Sequence, residues 1–482
     1  MSNYKNTNIY QNTVNFYLKI SEICKNNNYQ DPLIFEVEKA TIKLTTEIAI
    51  GLDKNDRKEQ NIALELAKEG FKIIKQLLDL CISKKILKEK IVNEIEEEIR
   101  ILKNNLDFFI DNRPTILILS SIMGQGHMSA SMAIKEGLEF KYGKNYDIVI
   151  IDFVEQIGTL LNKATQSAYE GSTKYIPNAY KFFFDSTDSK WQIKMLNIFN
   201  YPLSAKRIEK LFSSYHPSMV ISTFPIWDYM ASLIIKKTNC KYFLSVVTDS
   251  ISIHSSWTTG NPDYHIVANE ETAISLRKLG VANEKIKTLG FPVKLNFNQP
   301  SNKSDFLKSL HLNPHNFTLL FLPTAGKHQI TIKRINEIKN DHPNLNIIVV
   351  CGRDKELYPR LLKNYKDEKN LRIIGWTNQM PSYIKNSDLI LTKAGGATVM
   401  ECIAAKKPMI ITQVIPGQEM GNAILIKKHH LGIIQKESKM TLSECVEHII
   451  KHKNSFQKNL NKISNPEASI KIAEFVNDLY TE

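Results

Sequence analysis

The stretch Asp388–Asn422, DLILTKAGGATVMECIAAKKPMIITQVIPGQEMGN, decides how the rest of the chain is read. Asp388 to Thr392 has the length and apolar branching of a buried strand. Gly395 and Gly396 lead into a helical stretch from Ala397 to about Ala405. A second apolar strand, Pro408 to Thr412, follows, and then the polar loop Pro416-Gly417-Gln418-Glu419. This succession is a βαβ unit, which presents backbone N–H groups and the positive end of a helix to an anion.

The same alternation extends to both sides. Thr115–Ser121 reads as a buried strand, Ile122–Met128 (IMGQGHM) as a glycine turn, Ser129–Phe140 as a helix and Asp147–Asp152 as the next strand. Strands recur at Met219–Ser222, Tyr242–Val247 and His265–Ala268. After a polar passage at Pro292–Asn316 the pattern restarts at Phe317–Leu322, Asn346–Cys351 and Leu371–Ile374. The expected fold class is α/β: two Rossmann-like domains, 113–300 and 301–482, facing each other across a central cleft. Such sheets bind ligands beyond the carboxyl ends of their strands. Residues 1–112 differ, with apolar side chains at helical spacing (Ile62, Leu64, Leu66, Ile73, Ile74, Leu77, Leu78, then Ile86–Ile110), and predict a helical extension without a chemical constellation. A last helix, about Pro466–Tyr480, is expected to pack across one of the domains.

The net charge of +13 asks for an anionic partner, either nucleic acid or a membrane surface, although lysines spread along the chain fit a solvated surface for most of it. No arginine-rich arm, zinc-finger spacing or aromatic RNA-binding strand supports nucleic acid. The insertion 154–215 holds 11 aromatics in 62 residues, against 9% chain-wide, interleaved with lysines. It reads either as a lipid-headgroup surface or as a packed helical insertion. No stretch approaches the roughly 18 apolar residues of a membrane span, so membrane contact is expected to be peripheral. Six dispersed cysteines and a polar N-terminus fit a cytoplasmic protein.

Among residues able to carry chemistry, Gly124-Gln125-Gly126-His127 opens a helix after a strand. With Asp152 it makes a partial dinucleotide fingerprint, weakened by Ser129 in the third glycine position. His127 suits general-base work, though a lone histidine beside a turn is more often structural. Thr248-Asp249 ends a strand and is followed by His254 and Trp257, which orient a polyhydroxyl acceptor or the base, or else only brace a turn. The chain has neither a D-x-D nor a P-loop, so a bound diphosphate would rest on backbone amides and helix N-termini, with Gly395 and Gly396 the natural place. Glu401, one turn into that helix, is either a ribose ligand or a solvated glutamate.

From about Pro114 to Asn422 the chain resembles the monogalactosyldiacylglycerol synthases and processive diacylglycerol glucosyltransferases. These are inverting glycosyltransferases of the two-Rossmann GT-B fold. The resemblance is carried in order by Gly124–His127, Val247-Thr248-Asp249 with His254 and Trp257, Gly290-Phe291-Pro292-Val293 and Cys351-Gly352-Arg353. It continues through Gly375-Trp376-Thr377-Asn378-Gln379-Met380, Thr392–Gly396 and Pro416–Glu419. It implies His127 as catalytic base, with Asp249 beside it and His254 and Trp257 on the acceptor side. It implies a donor site of Gly126, Gly326, Arg353, Trp376, Thr377, Met380, Lys393, Gly395, Gly396, Thr398, Glu401, Gln418, Glu419 and Asn422. Within that site Glu401 reads the ribose, Gln418 and Glu419 the sugar hydroxyls, and Trp376–Met380 line the uracil pocket through backbone.

Two positions depart from the family pattern: Ala394 replaces the usual proline before the glycine pair, and the turn Pro323–His328 has one glycine rather than several. The resemblance implies a UDP-hexose donor, a diacylglycerol-type lipid acceptor, an anionic membrane surface and no metal or other cofactor. Three alternatives remain. One is a UDP-N-acetylglucosamine-dependent transferase acting on a peptidoglycan lipid precursor; another is a dehydrogenase using Gly124, Gly126 and Asp152. The third is a non-catalytic peripheral membrane protein of the same fold.

Overall fold

The computed structural model describes residues 8–27, 30–54, 57–111, 114–122, 126–152, 206, 208–238, 240–417 and 419–481. Most of the insertion 154–215 therefore lies outside the described residues, as do Gly124, Gln125 and Gln418.

Four helices open the chain: α1 Asn8–Asn26, α2 Pro32–Leu52, α3 Arg57–Ser83 and α4 Glu89–Asp111. Asp31 caps α2, accepting from Leu33 N, and Pro32 sits at its start, where a missing N–H costs nothing. These helices bury their own cluster, which includes Phe16, Ile34, Leu44, Leu64, Ile74, Ile95 and Leu106. Residues 209–217 group with them as one compact unit, tied by Lys210 to Glu98 at 2.6 Å and by Arg100 to the Tyr215 hydroxyl. The end of the aromatic insertion thus packs with the helical extension.

The other compact unit holds both sheets. The first runs in the order β2-β1-β3-β4-β5-β6, with β1 Thr115–Ser120, β2 Asp147–Asp152, β3 Met219–Ser222, β4 Tyr242–Val246, β5 Tyr264–Val267 and β6 Ile286–Thr288. The second runs β12-β11-β10-β7-β8-β9, with β7 Thr318–Phe321, β8 Asn346–Val350, β9 Leu371–Ile374, β10 Leu389–Lys393, β11 Met409–Gln413 and β12 Gly432–Ile434. Strands β1, β3, β7 and β8 are buried along their whole length, as strands covered on both faces must be. This is the two-sheet α/β architecture the alternation predicts.

Each sheet reverses its winding once. In the first, the chain leaves β1 for β2 on one side and returns to β3 on the other; in the second, β7 leads to β8 and β10 lies on its opposite flank. Such switch points leave a crevice beyond the strand ends. The switch points lie beside the start of the helix that carries His127 in the first sheet and beside Gly326 and Gly395–Gly396 in the second.

The halves built on the two sheets share a hydrophobic cluster, in which Ala130, Phe291 and Val293 meet Val399, Met400, Ile403 and Leu425. The last helix, Ala468–Thr481, chooses the first sheet. Its Ile472, Ala473, Val476 and Leu479 join Ile116, Ile134, Ile221 and Leu244 in one core. Gly137 permits this approach, because a Cβ there would stand 2.4 Å from the Ser469 carbonyl oxygen.

Candidate functional site

Helix α5, Gly126–Tyr142, begins earlier than the sequence suggests, so His127 lies in its first turn rather than on a turn above the sheet. His127 is buried over the ends of three neighbouring strands. Its Nδ1 is 2.7 Å from the Thr223 carbonyl oxygen, just past β3, and 2.8 Å from Thr248 Oγ1, just past β4. A carbonyl can only accept, so Nδ1 carries the proton and Nε2 is left as the basic nitrogen. Burial pushes the imidazole down to about 4, partly offset by the Thr223 carbonyl, so the ring is neutral at physiological pH. Phe224 packs edge-on at 5.1 Å and Trp257 lies 6.4 Å away, ring centre to ring centre.

Thr223 is the residue that sequence reading misses. Its carbonyl sets the His127 tautomer, while its hydroxyl is 2.8 Å from Ser131 Oγ and 3.2 Å from Ser120 Oγ. Nothing in the motif Ser222-Thr223-Phe224 signals this, because the contact is made by backbone across 96 residues.

Asp249, expected beside the base, does not occupy Nδ1. Its Oδ2 accepts from the Trp257 indole N–H at 2.7 Å. Burial pushes the carboxyl up to about 6 against that hydrogen bond. Trp257 is fully buried, so its expected contact with an acceptor is replaced by a bracing role. His254 likewise turns inward: Nδ1 accepts from Ser256 N at 3.3 Å and caps the short helix Ser255–Thr258.

Asp152 is buried and accepts from Ile122 N at 3.4 Å, while Ser129 Oγ donates to Glu401 Oε1 at 3.3 Å. A dinucleotide ribose would have to displace the first contact, and the third-glycine position is committed by the second.

The second half presents a glycine-led helix N-terminus. Gly395 is the N-cap of the helix Gly396–Ala404, and Thr398 stands half-buried in its first turn. An added Cβ on Gly396 would be 3.4 Å from the Thr248 carbonyl oxygen, and one on Gly126 would be 3.7 Å from Ala397 Cβ. The helix start and the turn that carries His127 therefore face each other directly. A shift in the β10–β11 register at Thr392/Lys393 re-aims Lys393 at the strand end, where its Nζ is 2.6 Å from Glu419 Oε1. Asn422 is buried, donates from Nδ2 to the Ala394 carbonyl at 2.9 Å, and leaves its Oδ1 buried without a hydrogen bond. A buried acceptor left unpaired costs about 1–3 kcal/mol and calls for a donor.

Glu401 is turned toward the opposite half. Burial pushes its carboxyl up to about 7, against the Ser129 hydroxyl and the charge of Lys294. A solvated-glutamate reading does not fit that environment.

On the β7–β9 side, Gly326 adopts φ +74°, but its N–H donates to Asp354 Oδ2 at 3.1 Å. That amide is thereby engaged within the protein itself. Asp354 also accepts from His328 Nε2 at 3.0 Å and from Leu357 N at 3.0 Å. Burial alone raises this carboxyl; these donors outweigh it and hold it at about 2. The single glycine of the turn is thus supported by a hydrogen-bonded carboxylate clamp.

Arg353 and Trp376 are exposed at the ends of β8 and β9, Trp376 to 61%. Thr377 folds onto its own loop, accepting from Gln379 N at 3.0 Å, and Met380 packs against the core. Among the described residues no three His, Cys, Asp or Glu side chains converge as ligands for a metal ion.

Residues 127–293 match the family model for monogalactosyldiacylglycerol (MGDG) synthase, and residues 327–476 match that for the glycosyltransferase family 28 C-terminal domain. A processive diacylglycerol beta-glucosyltransferase of Staphylococcus epidermidis is 28% identical over 320 residues, covering 66% of this chain and 80% of the relative. That of Staphylococcus saprophyticus is 26% identical over 322 residues, with the same coverage.

Two solved structures share the fold at a TM-score of 0.50. The Staphylococcus aureus MnaA–UDP complex is 15% identical, covering 77% of this chain and 98% of the other. A putative UDP-N-acetylglucosamine 2-epimerase from Listeria monocytogenes is 11% identical, covering 76% and 95%.

Proposed function

We propose, for a chain that belongs to the monogalactosyldiacylglycerol synthase and processive diacylglycerol glucosyltransferase family of GT-B glycosyltransferases, that it transfers a hexose from a UDP-sugar to a diacylglycerol-type lipid. The observation that carries this reading is the direct apposition of the His127 turn and the Gly395–Gly396 helix start, with Gly126 against Ala397. A neutral imidazole on one side and an anion-binding helix terminus on the other are what displacement of a nucleotide leaving group requires.

In the reaction, His127 Nε2 takes the proton of the acceptor hydroxyl. The freed oxygen electron pair bonds to the anomeric carbon from the face opposite the diphosphate. The bond from that carbon to the diphosphate oxygen breaks, its electron pair leaves with UDP, and configuration inverts. The first-turn amides of the helix, its dipole and the Lys393 ammonium hold the charge that develops on the leaving group. Asn422 Oδ1 and Glu419 accept from sugar hydroxyls, Glu401 from the ribose, and the backbone of Trp376–Met380 takes the uracil. Asp249, braced by Trp257, adds negative charge near the imidazolium as it forms. No metal or other cofactor is assigned a part.

The acceptor lives in a membrane, and the family relatives are named for diacylglycerol. Among the described residues no helix is long and apolar enough to cross a bilayer. With a net charge of +13, the reading is a peripheral attachment to an anionic, cytoplasm-facing membrane surface.

The test is a transfer assay on the purified protein with radiolabelled UDP-glucose, UDP-galactose and UDP-N-acetylglucosamine, each offered diacylglycerol and a peptidoglycan lipid precursor in vesicles. Labelled glycolipid with the diacylglycerol acceptor is expected. Transfer to the precursor alone, or hydrolysis without transfer, overturns the assignment.

A further inference from the structure

We infer that Lys393 and Glu419 form an exchangeable pair, in which a diphosphate draws the ammonium away and releases the carboxylate to the donor sugar. The inference rests on the donor site proposed above and concerns how its two subsites communicate.

The pair is unequal. Glu419 is buried, its side chain 5% exposed, and its Oε2 accepts from Ile415 N at 2.9 Å within its own loop. Lys393 is 40% exposed and reaches Glu419 Oε1 from the end of β10 at 2.6 Å. The carboxylate is fixed while the ammonium, on four methylenes, is free to swing. Both groups flank the helix start: a Cβ on Gly395 would lie 3.5 Å from Lys393 Cε and 3.8 Å from both Lys393 Nζ and Glu419 Oε1. A diphosphate placed on this helix terminus therefore arrives within reach of Lys393 and brings more negative charge than one carboxylate. The oxygen Glu419 gives up is then open to a hydroxyl.

Binding of one group should consequently favour binding of the other, and by thermodynamic linkage the effect is mutual, typically about 5- to 150-fold. The pair also sets an unusual sign. Neutralising Glu419 removes the competitor for Lys393, so the diphosphate alone should bind better even though a site residue has been altered. A carboxylate that only braced the loop would give no such gain.

The experiment is calorimetric titration of UDP and of the UDP-sugar on wild type, Glu419→Gln, Lys393→Met and Lys393→Arg. Glu419→Gln should bind UDP at least about 5-fold more tightly while losing the advantage of UDP-sugar over UDP. Lys393→Met should weaken UDP, and Lys393→Arg should restore it. Unchanged or weaker UDP binding in Glu419→Gln overturns the exchange. A measurement on unaltered protein guards against misfolded variants: free hexose should bind at least about 5-fold more tightly with saturating UDP than without, and equal affinity overturns the inference. Wild type that binds UDP with no such coupling refutes the exchange alone, whereas wild type that binds no UDP refutes the donor site itself.

Discussion

At the scale of single residues, the site is built from groups held away from their ordinary ionisation. His127→Ala is expected to reduce transfer by about 10²- to 10⁴-fold while UDP affinity, measured by calorimetry, stays near wild type. Retained turnover removes His127 from the role of base.

Asp249 makes a prediction of stability against pH. Its folded value of about 6 lies above the ordinary 3.8 because burial disfavours the charge. Below pH 3.8 both folded and unfolded forms are protonated. Between 3.8 and 6 the unfolded chain releases its proton first, and folding is penalised increasingly; above 6 the penalty is complete. Asp249→Asn should therefore match wild type in melting temperature near pH 3.5 and exceed it above pH 6, while transferring sugar more slowly. A constant difference in melting temperature across that range counts against the assignment. Residue types alone left His127 and Asp249 as candidates beside equally ordinary structural readings, and the family resemblance gave them their expected roles. Neither pointed to Thr223, since a backbone carbonyl looks the same in every sequence.

At the scale of elements, the decisive features are the strand-to-helix turns. The βαβ reading of Asp388–Asn422 was legible because glycines, apolar runs and loop residues follow their required order. The loop after β4, which meets Gly421 from the other half, was not, because packing between elements is nonlocal. Gly421 shows how tight that packing is: a Cβ there would stand 1.6 Å from the Ser250 carbonyl oxygen. Gly421→Ala is therefore expected to force apart the loop after β4 and the helix Met420–Lys428, with a lowered melting temperature and a raised KM for the donor. A substitution that leaves both unchanged would show that this seam opens freely. The Asp354 clamp teaches a similar lesson. A turn with one glycine looked deficient, yet a carboxylate from the next loop fixes it.

At the scale of the whole molecule, the two halves are latched away from the chemistry. Glu271, on the helix Glu270–Lys278, meets His429 Nε2 at 2.6 Å and Lys428 Nζ at 2.8 Å on the second half. Burial alone raises this carboxyl; the Lys428 and His429 hydrogen bonds outweigh it and hold it at about 2. Its contribution is complete above pH 4.5 and is lost as pH falls toward 2. Glu271→Ala should cost about 1–3 kcal/mol near neutrality, read by denaturant titration, with the difference from wild type vanishing near pH 2. The helical extension has its own core, so a fragment ending at residue 112 should be helical by circular dichroism with its own thermal transition. An unfolded fragment would mean that residues 209–217 are indispensable to it. Helical periodicity made the extension visible, but not its claim on a segment about a hundred residues downstream.

The terminal helix sets the timetable of biosynthesis. Its Tyr146–Asn477 and Lys141–Glu474 contacts, and the core it shares with β1, β3 and β4, join the last residues to the first sheet. The first sheet is translated well before the helix that covers it, so its apolar face must wait until that helix has been made. Loss of this 14-residue helix would therefore strip the first half while leaving the second sheet intact, and nascent chains stalled short of Ala468 should be preferred clients of chaperones.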